Sequence, residues 1–136
     1  MQDRPTYDEL LAAVEGFLDS EIVPNVPGAR GFHARVAANA IRIIRRELEL
    51  EDEQLAAEWS GLDALLGAAP APAGRAALRE RLHSRNSELC DRIRKGGADE
   101  GDFARQAFAH VRRTVADKLR VSNPDLLQRS ESQAPS

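Results

Sequence analysis

The sequence predicts an all-α protein, an antiparallel helical bundle of about five helices. Three observations carry this. Apolar residues recur at spacings of three and four along most of the chain. No segment alternates apolar and polar residues as a half-buried strand does, and β-branched residues are scattered. The breaks in helical spacing fall at proline and glycine clusters, at residues 24–28, 68–74, 96–97 and 123–124.

The first helix is expected over residues 6–23. Thr6 with Glu9 forms a capping box, in which each side chain satisfies a free amide of the first turn. Tyr7, Leu10, Leu11, Val14, Phe17, Leu18 and Ile22 share one face, and Pro24 ends the helix. The second helix is expected over 32–50, with Phe32, Val36, Ala40, Ile43 and Ile44 as its apolar face. An acidic run, Glu51-Asp52-Glu53, suits the positive end of a helix dipole and predicts a third, shorter helix. Leu55, Trp59, Leu62, Leu65 and Leu66 form its core face, and Gly67 stops it.

Residues 68–74 read as a short linker extended by its prolines. The fourth helix, 75–95, carries Leu78, Leu82, Leu89 and Ile93 and ends at Gly96-Gly97. The fifth, 102–121, carries Phe103, Ala107, Phe108, Val111, Val115 and Leu119. Residues 1–127 are expected to form a single helical-bundle domain, and 128–136 a disordered polar tail. Several faces are alanine-rich and allow close helix approach. A core of this size is modest, so a second copy is expected to complete part of the apolar surface as a homodimer.

Composition excludes several functions. The chain has 136 residues and a net charge of −3, with aromatics at 4%, so a basic, aromatic-lined nucleic-acid surface is not expected. No stretch is long and apolar enough for a membrane span, and the N-terminus has no export pattern. With the solitary Cys90, this predicts a cytoplasmic protein without a disulfide. Charge is uneven: the acidic residues lie mostly before Arg75 and the basic ones after Gly74, an asymmetry that allows attraction within the fold or between copies.

Catalytic and metal chemistry find little support. His33, His83 and His110 lie on different predicted helices, without the spacing that brings two imidazoles to one ion. Cys90 lies near the apolar side of its helix, two turns from His83, and reads as a half-buried inert thiol. No phosphate-cradling loop or nucleophile motif is present. No catalytic residue, metal or cofactor is therefore assigned.

A few polar residues fall inside apolar stripes. Glu47 lies near the middle of the second helix's apolar arc, with Asn39 at its edge. Arg35, Asn39, Arg42 and Arg46 form one ridge. Asn86 sits beside Leu82 and Ile93, Lys118 between Ala107 and Val111, and Glu21 near Val14 and Phe17. Burying a charge is costly unless it is paired, so Glu47 and Lys118 are expected to pair with each other or with an Arg, aided by Asn39 and Asn86. Three readings stay open for this set: a structural network, a ligand pocket and a partner interface. A weaker lead is the start of the second helix, where Arg30 and His33 could reinforce backbone amides around an anion.

Three segments together carry a family likeness: residues 3–11 (DRPTYDELL), residues 32–40 (FHARVAANA) continuing to Arg46-Glu47-Leu48, and residues 118–124 (KLRVSNP). The chain resembles a bacterial family of small helical proteins of unknown function over most of its length, to about Leu127. That family tends to be encoded beside aminoglycoside-phosphotransferase-like kinases and acyl-CoA dehydrogenases. The resemblance implies a non-catalytic accessory protein that binds such a kinase-like or dehydrogenase-like partner. A binder of an anionic metabolite or acyl-CoA is the alternative. The motif positions are Arg35, Asn39, Glu47, Lys118, Asn123 and Pro124.

Overall fold

A computed structural model describes residues 3–132, and the side chains of 3–129. It is an all-α bundle of five helices, with no strand among the described residues. These are α1 (Tyr7–Phe17), α2 (Ala29–Leu66), α3 (Arg75–Arg92), α4 (Gly101–Ser122) and α5 (Pro124–Ser132). π-Helical turns extend α1 over Leu18–Ile22 and α3 over Ile93–Gly97. The chain divides into two compact units, residues 1–49 and 50–136, and α2 gives its first half to one and its second half to the other.

Two expectations about the elements change. The second and third predicted helices are one, because Glu51, Asp52 and Glu53 lie inside α2. Nothing there removes a backbone donor, and glutamate is a good helix former, so the acidic run marks no start. The last helix runs through Ser132, so residues 128–132 are helical, not part of a disordered tail. The rest of that expected tail lies outside the described residues.

In the first unit, α1 starts at the predicted capping box. The Thr6 amide donates to Glu9 Oε2 at 2.7 Å and the Glu9 amide to Thr6 Oγ1 at 3.2 Å. α1 and the first half of α2 run in opposite directions, since Arg45 reaches Asp8 while Arg42 reaches Glu15 and Asp19. The residues that come closest here are small. Gly31, Ala34 and Ala38 are buried, whereas α1 buries no residue. A Cβ on Gly31 would collide with the Val26 carbonyl oxygen, so glycine is what lets the loop close over the start of α2.

The second unit has a conventional core. Trp59, Leu62 and Leu65 from α2 pack with Leu82 and Leu89 from α3 and Ala107 from α4, with Leu55, Leu66, Leu78 and Phe103 around them. Contacts along α2 and α3 rise together in residue number: Glu51 with Arg75 and Arg79, Glu58 with Asn86, Leu65 with Arg92. These two segments therefore run side by side in the same direction, which departs from the antiparallel order the sequence led us to expect. The extended linker makes this feasible. Eight residues (67–74) at ~3.1 Å each reach ~25 Å, enough to return along ~15 helical residues at 1.5 Å apiece. α4 runs against α2, with Asp117 near Gln54 and His110 against Gly61.

Candidate functional site

The sequence pointed to a polar set centred on Glu47 and Lys118. Both are exposed, and they belong to different units. The expectation that this carboxylate and this ammonium are buried is therefore overturned. The reason is which face of each helix turns inward. α1 meets the small face of α2, at Ala34 and Ala38, so the face with Phe32, Val36, Ala40, Ile44 and Glu47 stays in water. α4 turns Ala107, His110 and Val121 inward, which leaves Lys118 outside with Phe108, Val111 and Val115.

The remaining predicted residues separate. Arg35, Asn39, Arg30 and His33 are exposed on α2, and His33 makes a tilted ring contact with Phe32. Glu21 is exposed too, and its backbone carbonyl accepts from the Asn25 side chain. Cys90 is exposed, not half-buried. Arg42 and Asn86 do have partners. Asn86 Nδ2 donates to Glu58 Oε1 at 2.7 Å.

Arg42 belongs to a dense ionic cluster between α1 and α2. Its Nε donates to Glu15 Oε1 at 2.8 Å and its Nη2 to Asp19. Arg45 Nη1 donates to Glu15 Oε2 at 2.8 Å and its Nε to Asp8 Oδ1 at 2.7 Å. These bonds shift the groups that make them. The Arg45 hydrogen bond holds Asp8 below the usual carboxylate range, and the carboxylates raise both guanidinium pKa values against the cost of desolvation. Tyr7, Asp8, Glu15, Arg42, Arg45, Arg46 and Glu49 line a groove of about 600 Å³ in this unit. Arg42 and Arg45 are already engaged by carboxylates, so an anionic guest that binds them has to displace one of those.

Buried charges do exist, at positions the sequence reading passed over, all in the second unit. Arg85 is only 4% exposed. It donates to Asp63, to the Leu62 carbonyl at 3.1 Å and to the Gly67 carbonyl at 2.6 Å, and its Cζ lies 4.7 Å from the Trp59 ring centroid. It thus ties the Leu62 carbonyl, in the last turns of α2, to the Gly67 carbonyl just past the helix end. Its hydrogen bond lowers the Asp63 pKa. Glu51, 6% exposed, is held by Arg79 and Arg75. His110 is buried against Gly61, where any Cβ would collide with its ring, and its Nε2 has no hydrogen-bond partner. Desolvation lowers its pKa, opposed by Glu58 and reinforced by Arg113 and Lys118.

A signal for Arg85 was present. It stands three residues after Leu82 and four before Leu89, inside the apolar stripe. Among the described residues, no cluster of three His, Cys, Asp or Glu side chains could hold a metal ion. No described helix is long and apolar enough to cross a membrane.

The large apolar side chains that ordinarily fill a bundle core are instead on show. Tyr7, Leu10, Val14 and Phe17 on α1, Phe32, Val36 and Ile44 on α2, and Phe108, Val111 and Val115 on α4 are all exposed. Fold and surface together define a small all-α protein with a packed unit, a thinly packed unit and apolar faces left uncovered. By sequence it belongs to the family described as a domain of unknown function, DUF6285, whose model matches residues 24–126. That match includes the likeness segments at 32–40 and 118–124 but not the opening one. No curated protein and no solved structure matches the chain.

Proposed function

We propose that this chain is a non-catalytic accessory protein that docks onto a partner enzyme through the outward face of the first half of α2. The observation that carries this reading is the composition of that face. Phe32, Val36 and Ile44 are exposed at its centre, and Arg35, Asn39 and Glu47 are exposed on the same helix around them. An apolar centre with a polar, charged rim is the ordinary anatomy of a protein interface. On this reading Glu47 and Asn39 lie in an apolar arc because they specify a partner, not because they stabilise the core. The family likeness in the sequence points to a phosphotransferase-like kinase or an acyl-CoA dehydrogenase as that partner, in a bacterial cytoplasm.

The test is retention. Tagged protein expressed in its native host is expected to co-purify with such an enzyme and to change its kinetics when added back. Val36→Glu is expected to abolish both while leaving the helical circular dichroism intact. If neither enzyme is retained and the kinetics do not move, the reading fails.

The groove around Arg42 favours a second reading, the binding of a small anionic metabolite or acyl-CoA. It ranks second because Glu15, Asp19 and Asp8 already occupy Arg42 and Arg45. A thermal-shift screen with acyl-CoA species, nucleotides and organic acids tests it, and a flat screen removes it.

A further inference from the structure

α1 rests on the first half of α2 through charge and half-buried contacts. None of its residues is buried, and Tyr7, Leu10, Val14 and Phe17 are exposed. What it turns towards α2 is a line of carboxylates. Asp8, Glu15 and Asp19 stand seven and four residues apart, which puts them on one side of the helix. They meet Arg42 and Arg45, one turn apart on α2. The α2 face around these arginines is otherwise small, with Gly31, Ala34 and Ala38 in line with them at spacings of three and four. From Tyr7 to Ile22 there are five acidic residues and no basic one. Ion pairs open to solvent hold a helix weakly, and salt weakens them further. An element held this way opens without unfolding what it rests on. The limits of the family match add an independent observation. They begin at residue 24, so the matched segment includes Gly31, Ala34, Ala38, Arg42 and Arg45 but not the helix that covers them.

We propose that α1 is a removable strap over a helix-binding face of α2, and that an acidic amphipathic helix of a partner protein takes its place there. α1 itself shows the chemistry this face accepts. Two guanidiniums present planar pairs of donors, which suit carboxylates held at fixed positions. Gly31, Ala34 and Ala38 let a second helix backbone come close. A free helix competes against a tethered one. The loop at 23–28 keeps α1 at high local concentration, so the strap is normally shut and the partner gains access as it lifts. This face is the inward side of α2, away from Phe32 and Val36, so strap and enzyme docking stand or fall independently.

The test adds a fluorescein-labelled peptide of residues 3–23 to the full-length chain and reads binding by anisotropy. Wild type, with its face filled, is expected to bind the peptide at least about tenfold more weakly than an Asp8→Arg/Glu15→Arg variant, whose strap Arg42 and Arg45 repel. Adding Arg42→Glu and Arg45→Glu to that variant closes the strap with its charges exchanged and is expected to abolish binding. Adding Val36→Glu instead, on the outward side, is expected to leave binding as it is. If the double reversal fails to fold by circular dichroism, Asp8→Asn/Glu15→Gln replaces it. Hydrogen exchange on wild type gives a second measure. Amides of α1 are expected to exchange faster as sodium chloride rises, while those around Trp59 hold their rates. A strap-weakened chain that does not bind the peptide overturns the proposal, as do α1 amides as protected as those around Trp59. So does a wild-type dimer, seen by light scattering, that the double reversal dissociates, because the occupant is then a second copy's α1.

Discussion

The two halves of α2 live in different worlds. Its second half, from Leu50 onward, meets α3 and α4 around Trp59, Leu62 and Leu82 and encloses an arginine, a glutamate and a histidine. Its first half meets α1 through alanines and ion pairs, with its large side chains turned outward. The lesson is that one continuous helix can serve as scaffold at one end and as display surface at the other. Burial of apolar area scales with the size of the side chains enclosed, so the second unit holds most of the molecule's packing energy. The first unit depends on small residues in close approach and on charge pairs that salt weakens.

The most direct way to break this contrast is to truncate one leucine on each side. Leu62 is fully enclosed, at 0% exposure, whereas Leu10 is half exposed. Leu62→Ala is expected to cost ~3–5 kcal/mol, the lost transfer energy plus a residual cavity. Leu10→Ala is expected to stay within ~0.5 kcal/mol under conditions where the chain is monomeric. Chemical denaturation of both variants checks this. Equal losses would mean that the first unit shares a core the contrast denies it.

Arg85 sharpens the comparison at the next level. Arg85→Met keeps the length and apolar stem but removes the donors to Leu62 and Gly67 and the partner of Asp63. Losing these three hydrogen bonds, while Asp63 keeps the one from the Ala69 amide, is expected to cost roughly 1–3 kcal/mol. Trp59 provides a second readout. Its ring loses the stacked guanidinium, so its fluorescence spectrum is expected to shift even in the folded state. A stable variant with unchanged emission would show that the buried cation is a passenger in the core.

Much of the fold was legible in the sequence, and much less of the site. Proline and glycine placed every loop, and the capping box at Thr6 fixed the start of α1. The acidic run at Glu51 was misread because acidic residues are as acceptable inside a helix as at its beginning. Polar outliers were misassigned for a related reason. α1, α2 and α4 each carry more apolar and small residues than one neighbour can cover. A helical wheel shows that arc but not which part of it turns inward. Alanine and glycine took the inner face of α2 because they allow close approach, and Glu47 was left outside with Phe32 and Val36. Arg85 was legible by its register, three residues beyond Leu82. His110 was not, because its burial depends on Gly61, a neighbour supplied by another helix.

The smallest expected effect concerns that histidine and acts on the second unit alone. His110 is neutral in the fold, since burial lowers its pKa below the 6.5 of a free imidazole, with Arg113 and Lys118 adding to the effect and Glu58 working against it. In the unfolded chain the ring takes up its proton as the pH falls through 6.5, whereas in the folded chain it does so only at lower pH. The unfolded state therefore binds more protons in that window. Stability is fully present above it and declines as the pH drops, levelling off once the folded ring is also protonated. Melting temperatures followed from pH 7 to pH 5 are expected to fall for wild type and to fall less for His110→Leu, which keeps an apolar group against Gly61. If His110→Leu retains the full wild-type slope, the buried ring is not the group that couples protons to folding.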